Sequence, residues 1–290
     1  MKILLIGHSI IDKIDKGDLI KISPGGIYYS LIGFLTAKKA SDQLFLLTGY
    51  NKSSYHYFEN LYSKVSLNYS NEIESLPEVK LEIPKNEERI ETYSNLSSEL
   101  NIDKVDNWNF FDGILINMIT GFDISLEKLK VIRENFSGKI YFDLHTLSRG
   151  VNENLKRDFR PVPNAADWIS NIDILQCNES ELKTLSPTTD EKDIIKFVLE
   201  TGVKYLIVTR GEKGAEIYFK KNNHLDLLKK PASNVNVVNK IGCGDIFGAV
   251  FFYNYLCHGN IDISLENAIK TADKAVSINV LDNINLFLND

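Results

Sequence analysis

The fold of this chain is decided at residues 239–249, which read Asn-Lys-Ile-Gly-Cys-Gly-Asp-Ile-Phe-Gly-Ala. Gly242 and Gly244 flank one small residue, Asp245 follows at once, and an apolar run begins behind it. This order predicts a tight turn that opens a helix, because glycines let several backbone N–H groups converge on one spot. A helix N-terminus adds partial positive charge at that spot. The sequence therefore predicts an anion-binding turn with a carboxylate beside it.

Asp245 has two interpretations at this position. A carboxylate beside a bound anion is electrostatically unfavourable. A catalytic role would explain it there, if it accepts a proton from a hydroxyl group that attacks a phosphate. Alternatively, an aspartate in the first turn only complements the helix dipole, which is worth about 0.3–1 kcal/mol. The residues alone leave both interpretations open.

The composition is that of an ordinary soluble protein, with 43% hydrophobic and 25% charged residues among 290. The net charge of −6 disfavours a nucleic-acid partner, since no basic stripe offsets it. Cys177, Cys243 and Cys257 lack the spacing of a metal site, and their odd number is typical of a reducing compartment. Residues 1–8 predict a buried strand rather than a signal peptide, and no apolar run nears the ~18 residues that span a bilayer. We therefore expect a cytoplasmic protein without a membrane partner.

Short apolar runs alternate with helix-length segments along the chain. The predicted strands are Ile3–Ile6, Leu44–Leu47, Gly113–Ile116, Lys139–Phe142, Ile172–Leu175 and Tyr205–Val208. The predicted helices are Gly26–Lys39, Ser125–Asn135 and Glu191–Glu200. Such alternation indicates an α/β domain with a mainly parallel sheet and helices on both faces. Ligands of such domains bind beyond the carboxyl ends of the strands.

Two segments, 13–23 and 79–95, do not fit this alternation. Apolar and polar residues alternate in the arms of the second, as in a half-exposed antiparallel hairpin. The segments either form one small β lid, which would keep water from a reaction site, or are separate surface hairpins. The lid interpretation divides the chain into a core of residues 1–12, 24–78 and 96–290 and a lid of residues 13–23 and 79–95.

Several motifs occur in a characteristic order. They are Gly7-His8-Ser9-Ile10-Ile11-Asp12, Pro24-Gly25-Gly26, Asn178-Glu179-Ser180-Glu181, Thr209-Arg210-Gly211-Glu212-Lys213-Gly214 and Gly242-Cys243-Gly244-Asp245. From Ile3 to about Asn279 the chain thereby resembles the ribokinase-like, or PfkB, carbohydrate kinases. The resemblance implies a three-layer α/β/α sandwich with a mainly parallel central sheet and a small β lid. It also implies an ATP-dependent phosphotransferase that acts on a hydroxyl of a small sugar or sugar-like substrate.

The resemblance assigns catalysis to residues 242–245. Asp245 matches the family's general base, which accepts the proton of the substrate hydroxyl. The N–H groups of Gly242, Cys243 and Gly244 match the anion hole for the transferred phosphoryl group. The family usually has alanine at the position of Cys243, but a backbone donor does not depend on its side chain. The thiol itself is either activated by the helix N-terminus or buried and inert.

Asp12, Gly25 and Gly26 match positions that hold the sugar in this family. A carboxylate accepts hydroxyl hydrogen bonds, and glycines allow a close backbone approach. Ser30 stands where the family often has asparagine, and serine cannot make the paired contacts of an amide. The identity of the substrate therefore stays open. A strand-end acid and a simple turn before a helix are the alternatives for these positions.

The resemblance also implies sites for ATP and for Mg²⁺, the latter held largely through water. Glu181 and Asn178 would order the metal, although this pair equally fits a helix cap. Asn239-Lys240 replaces the Asp-Thr pair of most relatives, so dependence on a monovalent cation, which some members bind, stays open. The positions that match the nucleotide site are Asn178, Thr209, Gly211, Gly214 and Asn279, the last of which we expect on the final helix.

A further segment begins at Asp143, directly after a predicted strand. Asp143 matches the start of the family's D-x-N-x-R pattern, whereas His145 and Leu147 depart from it. Asp143 either supports the site or only ends its strand. His145 and Arg149 are either substrate contacts or solvated loop residues.

Two alternative functions stay open within this fold. One is a nucleoside kinase, in which Tyr28, Tyr29 or Phe122 would stack on the base. The other is a catalytically weak sensor of sugars or nucleosides, although the retained acidic residues of the motifs favour an enzyme. No G-x-x-x-x-G-K-[ST] sequence occurs, which excludes a P-loop enzyme. An apolar lid surface would allow a homodimer through the lid.

Overall fold

The computed structural model describes residues 1–15, 20–82 and 90–289. The predicted lid segments include residues 16–19 and 83–89, which lie outside the described residues. The strands are β1 (Lys2–Ile6), β2 (Ser9–Asp15), β3 (Ile20–Gly26), β4 (Gln43–Leu47), β5 (Gly49–Tyr50), β6 (Asn71–Glu72), β7 (Glu78–Glu82), β8 (Ile90–Asn95), β9 (Gly113–Asn117), β10 (Lys139–Asp143), β11 (Arg149–Val151), β12 (Arg157–Phe159), β13 (Ile174–Asn178), β14 (Tyr205–Thr209), β15 (Ala215–Lys221) and β16 (His224–Lys230). The helices are α1 (Ile27–Ala37), α2 (Glu59–Tyr62), α3 (Leu126–Asn135), α4 (Ala165–Ser170), α5 (Glu179–Leu182), α6 (Glu191–Thr201), α7 (Cys243–His258), α8 (Ile261–Val276) and α9 (Ile284–Asn289).

The largest sheet has the strand order β16-β15-β14-β13-β10-β9-β1-β4. It is mainly parallel, as the sequence predicts, and β15 and β16 join it antiparallel at one edge. Side chains of β1 alternate between two hydrophobic clusters, with Ile3 and Leu5 in one and Leu4 and Ile6 in the other. Both faces of the sheet are therefore buried, as near-continuous apolar strands require.

The predicted strands are present, with one shift along the chain. The strand expected at Ile172–Leu175 is β13, at Ile174–Asn178. Ile172 is buried but belongs to the turn after α4, where its N–H donates to the carbonyl oxygen of Ile169 at 3.4 Å. Because Ile172 is apolar and buried although it lies in a turn, the apolar pattern of the sequence begins two residues before the strand does.

Helix α7 is buried from Asp245 to Tyr255, as expected of a helix that is apolar on every side. It packs on α1 at Gly33, where an added Cβ would lie 2.6 Å from the carbonyl oxygen of Ile246. The close approach holds the N-terminus of α7 at the edge where the parallel strands end. Neither α7 nor any other helix of the described residues is long and apolar enough to cross a bilayer.

A second sheet has the order β3-β2-β7-β8 and contains the described parts of both predicted lid segments. It begins at Ser9, ahead of the predicted segment 13–23, so that Asp12 lies within β2 and pairs in register with Ser23. Val79 and Leu81 of β7 are buried. The two segments thus share one sheet, while the division of the chain into a core and a lid domain stays a prediction.

A buried ion pair joins this second sheet to the hairpin of β11 and β12. Arg157 of β12 pairs with Glu91 of β8, and both side chains are only 2% exposed. The guanidinium also donates to the carbonyl oxygen of Ile119 at 3.0 Å and lies 4.2 Å from the ring centre of Tyr93. This arginine therefore connects three parts of the fold.

Replacing Arg157 by alanine would leave the Glu91 carboxylate buried without this guanidinium. We expect the free energy of unfolding to fall by about 3–5 kcal/mol in urea titrations. The control is Lys196→Ala, which removes only an exposed pair with Glu200 and should change stability by less than about 1 kcal/mol. Equal effects of the two variants would show that the buried pair does not stabilise the fold.

Candidate active site

The turn before α7 has the shape that its glycines predict. Gly242 caps the helix with a φ of 76°, in the left-handed region that favours glycine. A Cβ there would lie 2.1 Å from Cδ1 of Tyr29. Asn239 Oδ1 accepts a hydrogen bond from the N–H of Ile241 at 3.0 Å, which starts the turn. The amide oxygen of Asn239 thus takes part in holding the turn, and Lys240 beside it is exposed.

The first turn of α7 presents backbone N–H groups that have no acceptor within the helix, and the N–H of Cys243 makes only a long contact, 3.5 Å, with the carbonyl oxygen of Lys240 before it. No side chain among the described residues caps this helix. Gly244 is exposed, and a Cβ there would meet only Gln176 Nε2, at 3.9 Å. Packing therefore does not require glycine at position 244, but the lack of a side chain keeps the helix N-terminus accessible.

The Cys243 thiol is shielded in this turn. Burial raises its pKa to about 12, and the carboxylates of Asp245 and Asp273 act in the same direction. Its Sγ donates to the carbonyl oxygen of Asn239 at 3.5 Å. The thiol is protonated at neutral pH, so the structure favours the inert interpretation over the activated one.

Asp245 lies in the first turn of α7 and is 9% exposed. Asn117 Nδ2 donates to its Oδ1 at 2.6 Å and to Ser30 Oγ at 3.1 Å. Asn117 is not among the site residues predicted from the sequence, where its only signal is a polar side chain at the end of the apolar strand β9. Ser30 is buried and turned toward Asn117.

Two further polar side chains continue from Asn117 across the next two strands of the sheet. Asp143 ends β10, and Gln176 lies next to it in β13. Gln176 Nε2 donates to Asp143 Oδ2 at 2.9 Å and to the carbonyl oxygen of Gly244 at 3.1 Å. Burial raises the pKa of Asp143 well above its ordinary value, and the nearby carboxylates of Asp245 and Glu181 raise it further. Asp143 thus does more than end a strand, because it is hydrogen-bonded to the residue that holds the start of α7.

A pocket opens in front of Asp245, between the second sheet and the main sheet. Asp12 and Gly26 line it, whereas Ser30 does not. Gly25 lies directly against Asp12, since a Cβ at Gly25 would be 2.2 Å from Asp12 Oδ2. The residues that line the pocket are Ile10, Asp12, Gly26, Tyr29, Val79, Leu81, Glu91, Ile119, His145, Arg157, Ile241, Gly242 and Asp245.

The two candidate contacts after Asp143 have different places. His145 lines the pocket, and its φ of 35° is unusual for a residue other than glycine. Strained backbone of this kind is found often at functional sites. The Arg149 guanidinium lies 4.1 Å from the ring centre of Phe159. Arg157 and its ion-pair partner Glu91 both line the pocket, and the sequence patterns provided no signal for Arg157.

Asn178 and Glu181 form a reciprocal cap at the start of α5. Asn178 Oδ1 accepts from the N–H of Glu181 at 2.9 Å, and Glu181 Oε2 accepts from the N–H of Asn178 at 2.9 Å. The helix-cap interpretation is thereby confirmed. The same bonds fix the orientation of both side chains, whose contact with a metal stays a prediction.

The segment from Thr209 to Gly214 forms the turn between β14 and β15. Gly211 and Gly214 have φ of 55° and 90°. A Cβ at Gly214 would lie 2.1 Å from the carbonyl oxygen of Lys230, so no other residue fits there without a shift. Thr209 Oγ1 lies 3.5 Å from the carbonyl oxygen of Cys177, a long contact with β13.

Arg210 connects this turn to the helix of the Asn178–Glu181 cap. Its guanidinium donates to Glu179 Oε1 at 2.7 Å and also pairs with Glu191 and Glu216. Burial acts to lower the pKa of Arg210, but hydrogen bonds to these carboxylates outweigh it and raise the pKa. The two segments assigned to the nucleotide are thus joined by one cation.

The expected position of Asn279 on the last helix is wrong. Helix α8 ends at Val276, and Asn279 lies in the turn that follows. Its Nδ2 donates to Asp282 Oδ2 at 2.5 Å, and Asp282 also pairs with Lys21 of β3 at 2.6 Å. Asn279 therefore lies in a segment that contacts the second sheet.

Comparisons with known proteins agree with this architecture. A family model described as pfkB family carbohydrate kinase matches residues 144–282. Deoxyribokinase of Salmonella typhi is 25% identical over 161 residues, which are 52% of this chain and 51% of that protein. Cytidine kinase of Thermococcus kodakarensis is 30% identical over 87 residues, 30% of this chain and 31% of that protein. The matches thus span about half the length of these relatives, or less.

Solved structures are similar over nearly the whole chain. Aminoimidazole riboside kinase of Salmonella enterica, complexed with its riboside and an ATP analogue, has a TM-score of 0.75 at 16% identity and covers 100% of both chains. Ribokinase of Arabidopsis thaliana, complexed with ribose and ATP, has a TM-score of 0.73 at 15% identity and covers 100% of this chain and 98% of that one. A pyrophosphate-dependent kinase in the ribokinase family has a TM-score of 0.75 at 14% identity and covers 95% and 94%. Because these sequence identities are low, the similarity to these structures shows the fold of the chain and not its activity. Residues 144–282 are thus similar in sequence to the pfkB family of carbohydrate kinases, and the whole chain has the fold of the ribokinase-family structures.

Proposed function

We propose that this chain is a kinase that transfers the γ-phosphoryl group of ATP to a hydroxyl of a small sugar or nucleoside. The observation that carries the proposal is the position of Asp245, which lines the pocket beside an uncapped helix N-terminus. The names of the relatives, a deoxyribokinase and a cytidine kinase, support the class of reaction.

In the proposed reaction, the acceptor hydroxyl oxygen attacks the γ-phosphorus while its proton moves to Asp245. The bond to the β–γ bridging oxygen breaks, and ADP leaves with that electron pair. Because Asn117 donates to Oδ1 of Asp245, Oδ2 is the oxygen that accepts the proton. The carboxylate thus acts as a general base in the transition state.

The N–H groups of Gly242, Cys243 and Gly244 would donate to the transferring phosphoryl group. Its negative charge spreads over three oxygens in the transition state, so donors fixed in advance stabilise it without reorganisation. Glu181 and Asn178 would hold Mg²⁺ largely through water, because Asn178 Oδ1 and Glu181 Oε2 already accept backbone hydrogen bonds. When bound, it would neutralise phosphate charge near the Asp245 carboxylate.

The pocket suits an acceptor with a polar edge and an apolar face. Asp12 provides a carboxylate for hydroxyl groups, while Ile10, Val79 and Leu81 form an aliphatic wall. Tyr29 also lines the pocket, which makes a nucleoside the second candidate. Tyr28 instead packs against Phe58 at 5.9 Å between ring centres.

Asp245→Asn should abolish most turnover while donor binding persists, because the amide cannot accept the proton. We expect kcat to fall by about 10²–10⁴-fold in a coupled assay. The assay would screen sugars and nucleosides with ATP, and with pyrophosphate as a second donor. The matched control is Asp193→Asn, an exposed aspartate in the first turn of α6.

Near-normal turnover of Asp245→Asn would refute the assignment of the base. Acceptor binding without turnover by the unaltered protein, for every acceptor and both donors, would favour the sensor function instead.

Cys243→Ala should retain activity, because the anion hole uses only the backbone N–H at this position. With a thiol pKa of about 12, against an ordinary 9.0, the thiolate fraction at pH 8 is roughly a thousandfold smaller. Alkylation of Cys243 by iodoacetamide, followed by peptide mass spectrometry, should therefore be slow at pH 8 and accelerate as the pH rises. Rapid alkylation at pH 7 with loss of activity would contradict this.

We also propose a homodimer through the second sheet. Its support is the exposure of Ile20 and Ile22 on the outer strand β3, at 56% and 44%. Sedimentation velocity should detect a dimer at micromolar concentration that the double variant Ile20→Lys/Ile22→Lys abolishes. A monomer at every concentration tested would refute the proposal.

A further inference from the structure

Three polar side chains form a row across three adjacent strands of the main sheet. Asn117 in β9, Asp143 in β10 and Gln176 in β13 are neighbours in register. All three are 5% exposed or less. Burying a polar group lowers the stability of the fold unless the group is hydrogen-bonded, so a row of polar side chains in an apolar sheet requires hydrogen-bond partners. The start of α7 provides such partners.

Two members of the row bind α7 directly. Gln176 donates to the backbone of Gly244 at 3.1 Å, and Asn117 donates to the side chain of Asp245 at 2.6 Å. The first contact fixes where the helix begins, and the second fixes how the carboxylate is turned. Position and orientation of Asp245 therefore depend on different strands.

The amide of Asn117 has only one favourable orientation. Its nitrogen donates to Asp245 and to Ser30 Oγ, whereas its oxygen would repel an ionised carboxylate. In this orientation Asn117 Oδ1 is buried and has no hydrogen-bond partner among the described residues. A buried acceptor without a partner costs stability. The fold therefore keeps a donor toward Asp245 at the expense of an unsatisfied oxygen.

We propose that Asn117 is a positioning residue for the transfer reaction. It holds Oδ1 of Asp245 so that Oδ2 faces the acceptor hydroxyl in the pocket. This inference rests on the proposed function, since it assigns Asn117 a role only through the general base. Ser30 takes part by accepting the second hydrogen of the same amide, which stops the amide from rotating.

The test is a double-mutant cycle of Asn117→Leu and Asp245→Asn, with Leu chosen to keep the volume of the side chain. Asn117→Leu should lower kcat by about 100-fold, because a small misplacement of a reacting group has an effect of this size. The KM of the acceptor should change by less than about threefold. The double variant should be no slower than Asp245→Asn alone, since Asn117 acts only through that carboxylate.

Two variants control for structural damage. Asn254→Leu removes a different buried asparagine, in α7, whose amide donates to the carbonyl oxygen of Val250. It should lower stability and leave kcat unchanged. If Asn117→Leu does not fold, Ser30→Ala provides the second test, because loss of the acceptor should lower kcat in the same direction with a smaller effect.

The outcomes separate this inference from the function on which it rests. Full activity of Asp245→Asn would refute the proposed function. Loss of activity in Asp245→Asn together with normal kcat in Asn117→Leu would overturn only the inference. Multiplicative losses in the double variant would also overturn it, because Asn117 would then act independently of Asp245.

Discussion

The close contact between α1 and α7 is the constraint on which the rest of the site depends. Gly33 lets the helix backbones approach until a single added carbon would meet the carbonyl oxygen of Ile246. Since α7 is buried along most of its length, it cannot shift without disturbing the core. Its N-terminus is thereby fixed at the edge where the parallel strands end. The amide donors of the first turn and Asp245 are fixed with it.

One side of the pocket is formed by the second sheet, which contains β3, β2, β7 and β8. This sheet contributes Asp12 and an aliphatic wall that faces the start of α7. The buried pair of Arg157 and Glu91 then ties its β8 strand to a hairpin far along the chain. One side of the pocket is therefore built on the α/β layers, and the other on the second sheet.

The interior of the site is acidic, which constrains the chemistry that it can support. Asp143 and Asp245 lie close together, and the pKa of Asp143 is raised by burial and by this proximity. A raised carboxyl pKa favours the protonated form, so Asp143 can remain in place without adding a second full charge beside Asp245. Positive charge comes from the helix N-terminus, and in the proposed reaction also from the bound metal ion.

The sequence by itself determined the α/β class, the six parallel strands of the main sheet, the glycine turn and the cap of α5, because each depends on residues near one another in the chain. It placed Ile172 in a strand and Asn279 on a helix, because local patterns do not show where a tertiary contact ends an element. Only the tertiary structure decided that Asn117 reaches Asp245 and that Arg157 lines the pocket. Asn117 and Asp245 are 128 positions apart in the chain. Arg157 is 66 positions from Glu91, the residue with which it pairs in the pocket. No local pattern records these contacts, because packing of the helices on the sheet brings these residues together.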